Sequence, residues 1–446
     1  MGAYSTATCV LAGRKIPQGT LTPIGALLFS ASEPGAWYDP SDMSTLFQDA
    51  AGTTPVTAVA QPVGRILDKS GRGNHATQAT TTKRPVLSRR VNLLTKTEGL
   101  AGSAYVKNNC TVINDSGQIY PGAAKITANA TDAATSLVTG FLQGYQVVSG
   151  KFKADGVRYL CMALNAYAVY STTFDLVAGV VTQNSTGYAG SSSTIESLGD
   201  GWYRCIWSFA GAVSNARVWF VLSSNPTGNH TGTTFLGDGV SGILMAHPSI
   251  TAATDAHLPY QQINTATDYD ADPAKFPAHL RFDGVDDSYA SATGGGGTAG
   301  FFFSSAVLPQ GGAGTARTLF SDAGTNTGYI VRLNTSNQLE LAAGNGTAYT
   351  TVATFGTLAV GTAAIVQAWD DGTNLNVKIG NGATASVARP VVSAGTAGYT
   401  MGQDNGASTR YFNGRLYSTI YRKDSGLTQV QREAVALVQR QKARMP

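Results

Sequence analysis

Three aspartates lie close together in the segment FDGVDD, at Asp283, Asp286 and Asp287. Carboxylate oxygens are ligands that Ca²⁺ prefers, and a calcium site collects about six to eight oxygens. The three residues are therefore candidate calcium ligands, although the sequence does not name the remaining oxygens. The alternative is structural: Asp283 and Gly284 form a turn that the other carboxylates cap. No other cofactor is expected.

Aromatic side chains form the second group that could do chemistry. Sugars stack their apolar faces on Trp or Tyr, while Asn, Asp and Arg bind the hydroxyls. Some of these side chains are expected outside the core, and several of them lie in loops rich in Gly, Asn and Thr. The candidate glycan-binding residues are Trp37, Tyr349, Trp369, Arg410 and Tyr411. Three further tryptophans lie in strand-like segments, which favours places in the core: Trp202, Trp207 and Trp219.

Residues for catalysis are poorly represented. Glycosidases use two carboxylates, but this chain has only five glutamates, and nothing in the sequence sets one aspartate apart as a buried acid. The five histidines are scattered, and His75 in the segment GNHA is expected to hydrogen-bond within its own turn. Neither a GxSxG motif nor a P-loop occurs. The sequence therefore predicts that the protein is not an enzyme.

The composition indicates which elements position these residues. Charged residues make up 13% of the chain, against roughly 25% in an average globular protein, and 52 of the 446 residues are glycine. Small residues in such numbers are typical of short strands joined by tight turns. The net charge of +4 is thinly spread, so no nucleic-acid-binding face is expected. No apolar run reaches the ~18 residues that would predict membrane insertion.

Strand-like segments recur throughout the chain, as in YQVVSGKFKADG, WYRCIWSFAG and AWDDGTNLNVKIG. In the last of these, Asp371 and Gly372 separate two alternating runs and predict a hairpin. Near the C-terminus the apolar period becomes helical, and Thr428 with Gln431 predicts a capping box. We therefore expect an all-β fold of two antiparallel β-sandwich (jelly-roll) domains with a short C-terminal helix.

Three motifs carry a family resemblance. The segments LDKSGRGNHAT (67–77), LRFDGVDDSY (280–289) and FNGRLYSTIYRKDSGLTQVQREAVALVQRQ (412–441) resemble the concanavalin A-like or laminin-G-like sandwich of many bacteriophage virion proteins. The segment at 37–64 resembles the lead-in of those proteins. The motifs occur in the order that the family shows, which makes the resemblance more specific.

The spacing of these motifs predicts an insertion. About 200 residues separate the first motif from the second, where the family has a short gap. Within this region, NLLTKTEG (92–99) and LGDGWYRCIWS (198–208) resemble a carbohydrate-binding-module jelly roll. We expect residues 91–265 to form that module, inserted into a discontinuous lectin-like sandwich of residues 31–90 and 266–446. Such insertions cost little free energy, because the entropy lost on closing a loop rises only slowly with the length of the loop.

The resemblance implies a structural protein of the phage particle: a tail fibre, spike or capsid decoration that attaches to host-surface glycans and contacts other virion proteins. It would be made in the host cytoplasm and reside in the virion. Few cysteines in a long chain fit that origin, and the pairing of Cys161 with Cys205 stays open. The alternatives are a secreted or cell-surface glycan-binding module and a polysaccharide depolymerase.

Residues 1–30 are apolar with Gly and Pro breaks, and are expected to form an N-terminal arm or anchor. An apolar arm should bury itself against a neighbour. Virion appendages that resemble this chain are commonly trimeric, so we expect a homotrimer. The alternative is that the arm packs on its own lectin domain.

Overall fold

The structure is a computed structural model. It describes residues 9–11, 14–16, 24–114, 117–142, 144–164, 170–185, 187, 190–213, 216–227, 235–265, 275–291, 300–311, 315–322, 324, 326–395, 398–404, 409–424 and 426–445. Much of the expected N-terminal arm (residues 1–8, 12–13 and 17–23) therefore lies outside the described residues.

The first part of the chain contributes short elements. They are β1 (Cys9–Leu11), β2 (Arg14–Ile16), α1 (Ile24–Phe29), β3 (Gly35–Tyr38), β4 (Leu46–Phe47), β5 (Arg65–Ile66), β6 (Ala76–Thr77) and β7 (Val86–Ser88). Strands β1 and β2 pair with each other. Helix α1 lies within residues 1–30, the segment expected to form an N-terminal arm or anchor.

The middle of the chain contributes longer strands. They are β8 (Val106–Asn108), β9 (Cys110–Asn114), β10 (Ala124–Ala128), β11 (Asp132–Ala133), β12 (Thr135–Val138), β13 (Tyr145–Asp155), β14 (Tyr159–Leu164), β15 (Ser171–Asp175), β16 (Val180–Gln183), β17 (Ser192–Gly199), β18 (Trp202–Val213), β19 (Val218–Ser223), β20 (Phe235–Leu236) and β21 (Gly242–Thr251). A 3-10 helix, Ala253–Asp255, follows β21.

The last part contains twelve strands among its described residues and ends in a helix. They are β22 (His279–Asp283), β23 (Tyr289–Ser291), β24 (Phe302–Pro309), β25 (Arg317–Ser321), β26 (Thr327–Leu333), β27 (Gln338–Asn345), β28 (Tyr349–Thr357), β29 (Ala364–Asp370), β30 (Asn374–Ile379), β31 (Ala385–Ala388), β32 (Thr400–Met401), β33 (Asn413–Arg422) and α2 (Gln429–Ala443).

The middle strands form one two-sheet sandwich, here called the middle sandwich. Its sheets run β17-β18-β13-β21-β10-β9 and β16-β15-β14-β19-β12-β8, and all their pairings are antiparallel. Both sheets contribute to one core, in which Phe152 packs against Phe220 at a ring-centroid distance of 5.9 Å. Successive side chains point to opposite faces of a strand, so each sheet also has an outer face.

The early and late strands form a second sandwich, here called the split sandwich. Its sheets run β31-β30-β29-β24-β33-β22-β7, with β3 also paired to β33, and β28-β27-β26-β25-β32-β23-β6-β5-β4. Leu87 of β7 lies opposite Leu280 of β22, and Ala76 of β6 lies opposite Ser291 of β23. Strands before residue 90 are therefore hydrogen-bonded to strands after residue 278.

The predicted fold class is confirmed: the chain is mostly antiparallel β-structure in sandwich-like layers with a short C-terminal helix. The predicted capping box is present, since Thr428 accepts a hydrogen bond from the Gln431 amide and the Gln431 side chain bonds back. The hairpin at Asp371 and Gly372 joins β29 to β30. Among the described residues, neither helix is long and apolar enough to span a membrane.

Helix α1 packs on the chain itself. Its residues Ile24, Leu28 and Phe29 are buried together with Leu427 and Val435 at helix α2. For residues 24–29, this is the local packing that the sequence offered as the alternative to contact with a neighbouring chain.

Candidate functional site

The first predicted motif is structural. In the 67–77 turn, the Asp68 carboxylate accepts hydrogen bonds from the backbone amides of Trp37, Ser70 and Asn74. The Asp68 amide donates to His75 Nδ1 over 3.0 Å, which confirms the expectation that His75 bonds within its turn. This network fixes the turn against β3.

The three predicted calcium ligands lie together at the end of β22 and in the turn that follows it. Carboxylate oxygens of Asp283, Asp286 and Asp287 all lie within 4.8 Å of one another. The same group also forms the alternative turn, because the Val285 amide donates to Asp283 Oδ1 over 2.8 Å. The Asp283 amide in turn donates to Asp287 Oδ2 over 2.9 Å. The geometry is therefore that of a capped turn whose carboxylates converge.

The negative charge of this cluster suits a cation, but its three carboxylates are too few to complete the coordination shell of Ca²⁺. Burial, together with the Asp283 and Asp286 carboxylates, raises the pKa of Asp287 to about 7. A bound Ca²⁺ would favour the ionised carboxylate and so lower that pKa. Three carboxylates supply only part of the six to eight oxygens that Ca²⁺ takes, so water would have to complete the shell.

The two predicted glycan-binding tryptophans share one apolar cluster beneath helices α1 and α2. Trp369 is 5% exposed, and the Arg432 guanidinium lies over its ring at 4.3 Å from the centroid. Trp37 packs on the edge of the same cluster, with the Lys69 ammonium 5.0 Å from its ring centroid. Basic side chains therefore cover a ring face of each tryptophan.

The other predicted glycan contacts lie apart from the tryptophans. The Tyr349 hydroxyl donates to the carbonyls of Gly324 and Thr327. Arg410 forms an ion pair with Asp404 at 2.8 Å, and the neighbouring Tyr411 hydroxyl accepts from Gln403 over 3.2 Å. The structure thus brings Trp37 and Trp369 together, and leaves these three on other parts of the split sandwich.

A groove that the sequence did not indicate lies on the middle sandwich. It has a volume of about 540 Å³ and lies on the outer face of the sheet that contains β17, β18, β13 and β21. Its polar lining is drawn from all four strands and the loop after β21: Ser149, Lys151, Glu196, Arg204, His247 and Tyr260. Strands β17 and β18 follow each other in the chain, whereas β13 and β21 come from distant parts of the sequence and become their neighbours only in the sheet.

One wall of the groove is a stack of rings. Tyr260 stacks on His247 with centroids 4.2 Å apart and an interplanar angle of 6°. Beyond it, the edge of Tyr120 meets His247 at 5.5 Å and Trp202 at 5.0 Å. Trp202 is buried, but on the outer face of the sheet, which corrects the expectation that it fills the core; Trp207 does fill the core.

The floor of the groove carries hydrogen-bonding side chains. The Lys151 ammonium lies 3.7 Å from the centre of the Tyr120 ring, a cation–π contact that holds it at the wall. Arg204 and Glu196 are 3.8 Å apart and remain 41% and 55% exposed. Burial and the Lys151 charge lower the pKa of His247 to about 4, so this ring is neutral above that pH.

The three cysteines whose side chains the structure describes take no part in these sites. Cys161 lies on the outer face of β14, whereas Cys205 lies in the core on β18, in the other sheet. Both are free, and Cys110 is free as well. The open question of a disulfide between Cys161 and Cys205 is therefore answered: the two thiols are unpaired.

Comparison with known proteins gives structural matches alone. No family model matches the chain. No curated protein sequence matches it either. Among solved structures it is similar to the carbohydrate-binding module CBM66 from Bacillus subtilis, at 12% identity and TM-score 0.22 over 32% of this chain and 83% of that one. It is also similar to domains LG4-5 of the mouse laminin alpha1 chain, at 10% identity and TM-score 0.26 over 77% of this chain and 96% of that one.

A third match corrects the expectation that the protein is not an enzyme. Trypanosoma rangeli sialidase matches at 10% identity and TM-score 0.27, over 98% of this chain and 77% of that chain. Enzymes thus occur among the matches beside carbohydrate-binding modules, and non-enzyme status is not established.

The structure also corrects one reason for that expectation. The sequence set no aspartate apart as a buried acid, but burial raises the pKa of Asp287 to about 7 and that of Asp322 to about 6. Asp322 is held inside the split sandwich, where it accepts hydrogen bonds from the Tyr329 amide and the Tyr421 hydroxyl.

Proposed function

We propose that the protein binds glycans, and that the groove on the middle sandwich is the binding site. The observation that carries this proposal is the Tyr260–His247 ring stack beside exposed Arg204 and Glu196 side chains. Sugar rings need an apolar surface and several hydrogen-bonding groups within reach. The volume of about 540 Å³ lies within the ~300–1,000 Å³ range of ligand pockets.

Each group in the groove has a distinct part in this proposal. The exposed parts of the ring stack and the side chain of Ile206 receive the apolar face of a sugar. Arg204 and Lys151 donate hydrogen bonds to hydroxyl oxygens, and Glu196 accepts from hydroxyl hydrogens. Since His247 is neutral, it adds no charge to the wall at physiological pH.

An array of bacterial lipopolysaccharides and capsular polysaccharides tests this proposal. We expect the full chain to bind a subset of them, and Arg204→Ala to lose that binding. Arg158→Ala is the matched control, because Arg158 is also in the middle sandwich, 51% exposed and paired with a carboxylate, but lies outside the groove. Binding that survives Arg204→Ala unchanged would place the glycan site elsewhere.

We also propose the virion role that the sequence motifs imply: a tail fibre, spike or capsid decoration, made in the host cytoplasm. Its support is the ordered motifs at 67–77, 280–289 and 412–441. The inserted organisation is part of this proposal, and the pairing of β7 with β22 supports it. Co-purification with intact phage particles at a fixed copy number is the expected result. A chain absent from purified particles would contradict it.

Homotrimer formation is proposed on the same basis. Several linked weak sites can raise avidity by ~10²–10⁴ without new contacts, which suits attachment to a repetitive glycan surface. Light scattering on the full chain should give the trimer mass. A chain that starts at Ser32 lacks α1 and therefore also loses the contacts between α1 and α2. Its mass is compared with that of the full chain only if the two chains have the same melting temperature.

A further inference from the structure

Three charged side chains of the groove form one row across the middle sandwich. In the antiparallel register, Glu196 of β17 lies opposite Arg204 of β18, and Arg204 lies opposite Lys151 of β13. Directly opposite residues of antiparallel strands share one face of the sheet, and all three residues line the groove. The order of charges along the row is therefore negative, positive, positive.

The two cations of this row are direct cross-strand neighbours. Like charges in such positions repel each other and destabilise the strand pair. Burial and the Arg204 charge lower the pKa of Lys151, so the two groups interact in the folded protein. An anion that contacts both side chains would relieve this repulsion.

Both cations present hydrogen-bond donors to the groove. The Arg204 guanidinium and the Glu196 carboxylate approach each other to 3.8 Å, which is too long for a hydrogen bond. The Lys151 ammonium lies against the Tyr120 ring and donates no hydrogen bond to any described residue. An oxygen-bearing ligand can therefore accept from the two cations at once.

The ring stack of the groove lies beside these cations. Lys151 lies opposite Ala246 of β21, and the register then shifts, so that His247 occupies a β-bulge. His247 has a φ of 50°, which non-glycine residues seldom adopt, and bulges of this kind re-aim side chains next to binding sites. A sugar ring that stacks on His247 and Tyr260 would have its substituents within reach of Lys151.

We propose that the groove binds an acidic glycan, and that Lys151 and Arg204 together hold the carboxylate of one of its sugars, such as a uronic acid. This inference rests on the proposed function, since it names the class of glycan for the same groove. Ammonium and guanidinium groups bind carboxylates through charge-assisted hydrogen bonds.

The charge of the groove favours a carboxylate over a phosphate. The row holds two cations and one carboxylate, and the other carboxylate of the lining, Asp255, is buried and paired with Arg415. One carboxylate on the ligand equals the excess positive charge of the row. A phosphate group carries up to about two negative charges, so it would exceed that charge beside Glu196.

Polysaccharides that differ only in their carboxyl groups test this inference. Polygalacturonate, alginate and hyaluronate are titrated into the full chain by calorimetry at constant ionic strength, each beside its carboxyl-reduced neutral form. We expect at least one acidic polymer to bind about tenfold more tightly than its reduced form, the effect of losing charge-assisted hydrogen bonds. Lys151→Ala should bring the two affinities close together. Lys153→Ala is the matched control, on the same face of β13 but outside the groove, and should retain the preference.

The variant Glu196→Gln separates recognition of charge from general damage to the site. It removes a negative charge beside Arg204, so affinity for the acidic polymer should rise severalfold, whereas affinity for the reduced form should not rise. Equal affinity for the acidic and reduced forms would overturn the acidic class and leave a groove for neutral glycans. An acidic preference that Lys151→Ala retains would also overturn it.

Failure of this inference differs from failure of the proposed function. If no acidic polymer binds but a neutral glycan of the polysaccharide array does, and Arg204→Ala loses that binding, the acidic class alone is wrong. If every glycan fails to bind, or binding survives Arg204→Ala unchanged, the groove is not the glycan site and both proposals are wrong.

Discussion

Arg415 donates a hydrogen bond from Nη1 to Asp255 Oδ2 over 2.6 Å, although the residues lie 160 positions apart and both are buried. Asp255 belongs to the 3-10 helix after the middle sandwich, and Arg415 belongs to β33 of the split sandwich. A buried ion pair is costly to break, since the remaining charge has no partner and no water. This pair therefore ties the two sandwiches together.

Loss of either partner should destabilise the protein strongly. For Asp255→Asn we expect the free energy of unfolding to fall by about 3–5 kcal/mol, because the Arg415 charge stays buried without a counter-charge. Chemical denaturation measures this loss. Arg158→Ala, which removes an exposed partner from its pair with Asp175, should cost much less, because the Asp175 carboxylate keeps its hydrogen bonds from the Val177 and Ala178 amides. Equal effects of the two variants would refute a special role for the buried pair.

The buried Asp287 predicts a pH dependence of stability. Its pKa of about 7 in the folded protein lies above the ~3.9 of an unfolded aspartate. Between these values the folded state holds a proton that the unfolded state has released, so stability falls as the pH rises from about 4 to about 7. Asp287→Asn should remove this part of the slope. Asp322 contributes in the same direction, but it is present in both proteins and cancels in the comparison.

Calcium should stabilise the protein by binding to the same cluster of carboxylates. At pH 8 the Asp287 carboxylate is ionised beside Asp283 and Asp286, and a bound Ca²⁺ would offset their repulsion. We expect millimolar Ca²⁺ to raise the melting temperature, EDTA to reverse the rise, and Asp287→Asn to abolish it. If Ca²⁺ has no effect on the wild type at this pH, the three carboxylates form only the capped turn.

The free thiols give a check on the packing. Burial raises the pKa of Cys110 to about 11 and that of Cys161 to about 12, and Cys205 lies in the core. Thiolates are the reactive form, so these three cysteines should resist alkylation in the native protein and react fully after denaturation. Mass spectrometry of tryptic peptides measures this. Rapid native labelling of Cys205 would contradict the core that the structure shows.

Local patterns predicted the fold class well, because strand alternation, the Asp371–Gly372 turn and the Thr428 capping box depend on residues near one another in sequence. The groove could not be predicted, because its residues lie near one another only in the folded sheet. Lys151, Arg204 and His247 lie on three strands that become neighbours only through the order β18-β13-β21. The only local signal was the alternation of Lys151 and Lys153 with buried Phe152 in one strand.

Helix α1 was missed because six apolar residues are too few to show a helical period. Its burial depends on α2, which lies some 400 residues later, as the hydrogen bond from Gln431 to the Leu27 carbonyl shows. The contact between the Arg432 guanidinium and the Trp369 ring also joins residues that are distant in sequence. Sequence could therefore indicate candidate aromatic residues for sugar binding, but not which of their ring faces are covered by other side chains.

The central claim, that the groove binds a glycan, is tested most directly by one calorimetric comparison of two lysine variants. Lys151 and Lys153 lie two residues apart on β13 and therefore on the same face of the sheet, but Lys151 alone lines the groove. With a glycan identified on the array, Lys151→Ala should weaken binding by about tenfold, through loss of a charge-assisted hydrogen bond. Lys153→Ala should leave the dissociation constant unchanged. Equal affinity of the two variants and the wild type would contradict the assignment of the groove as the binding site.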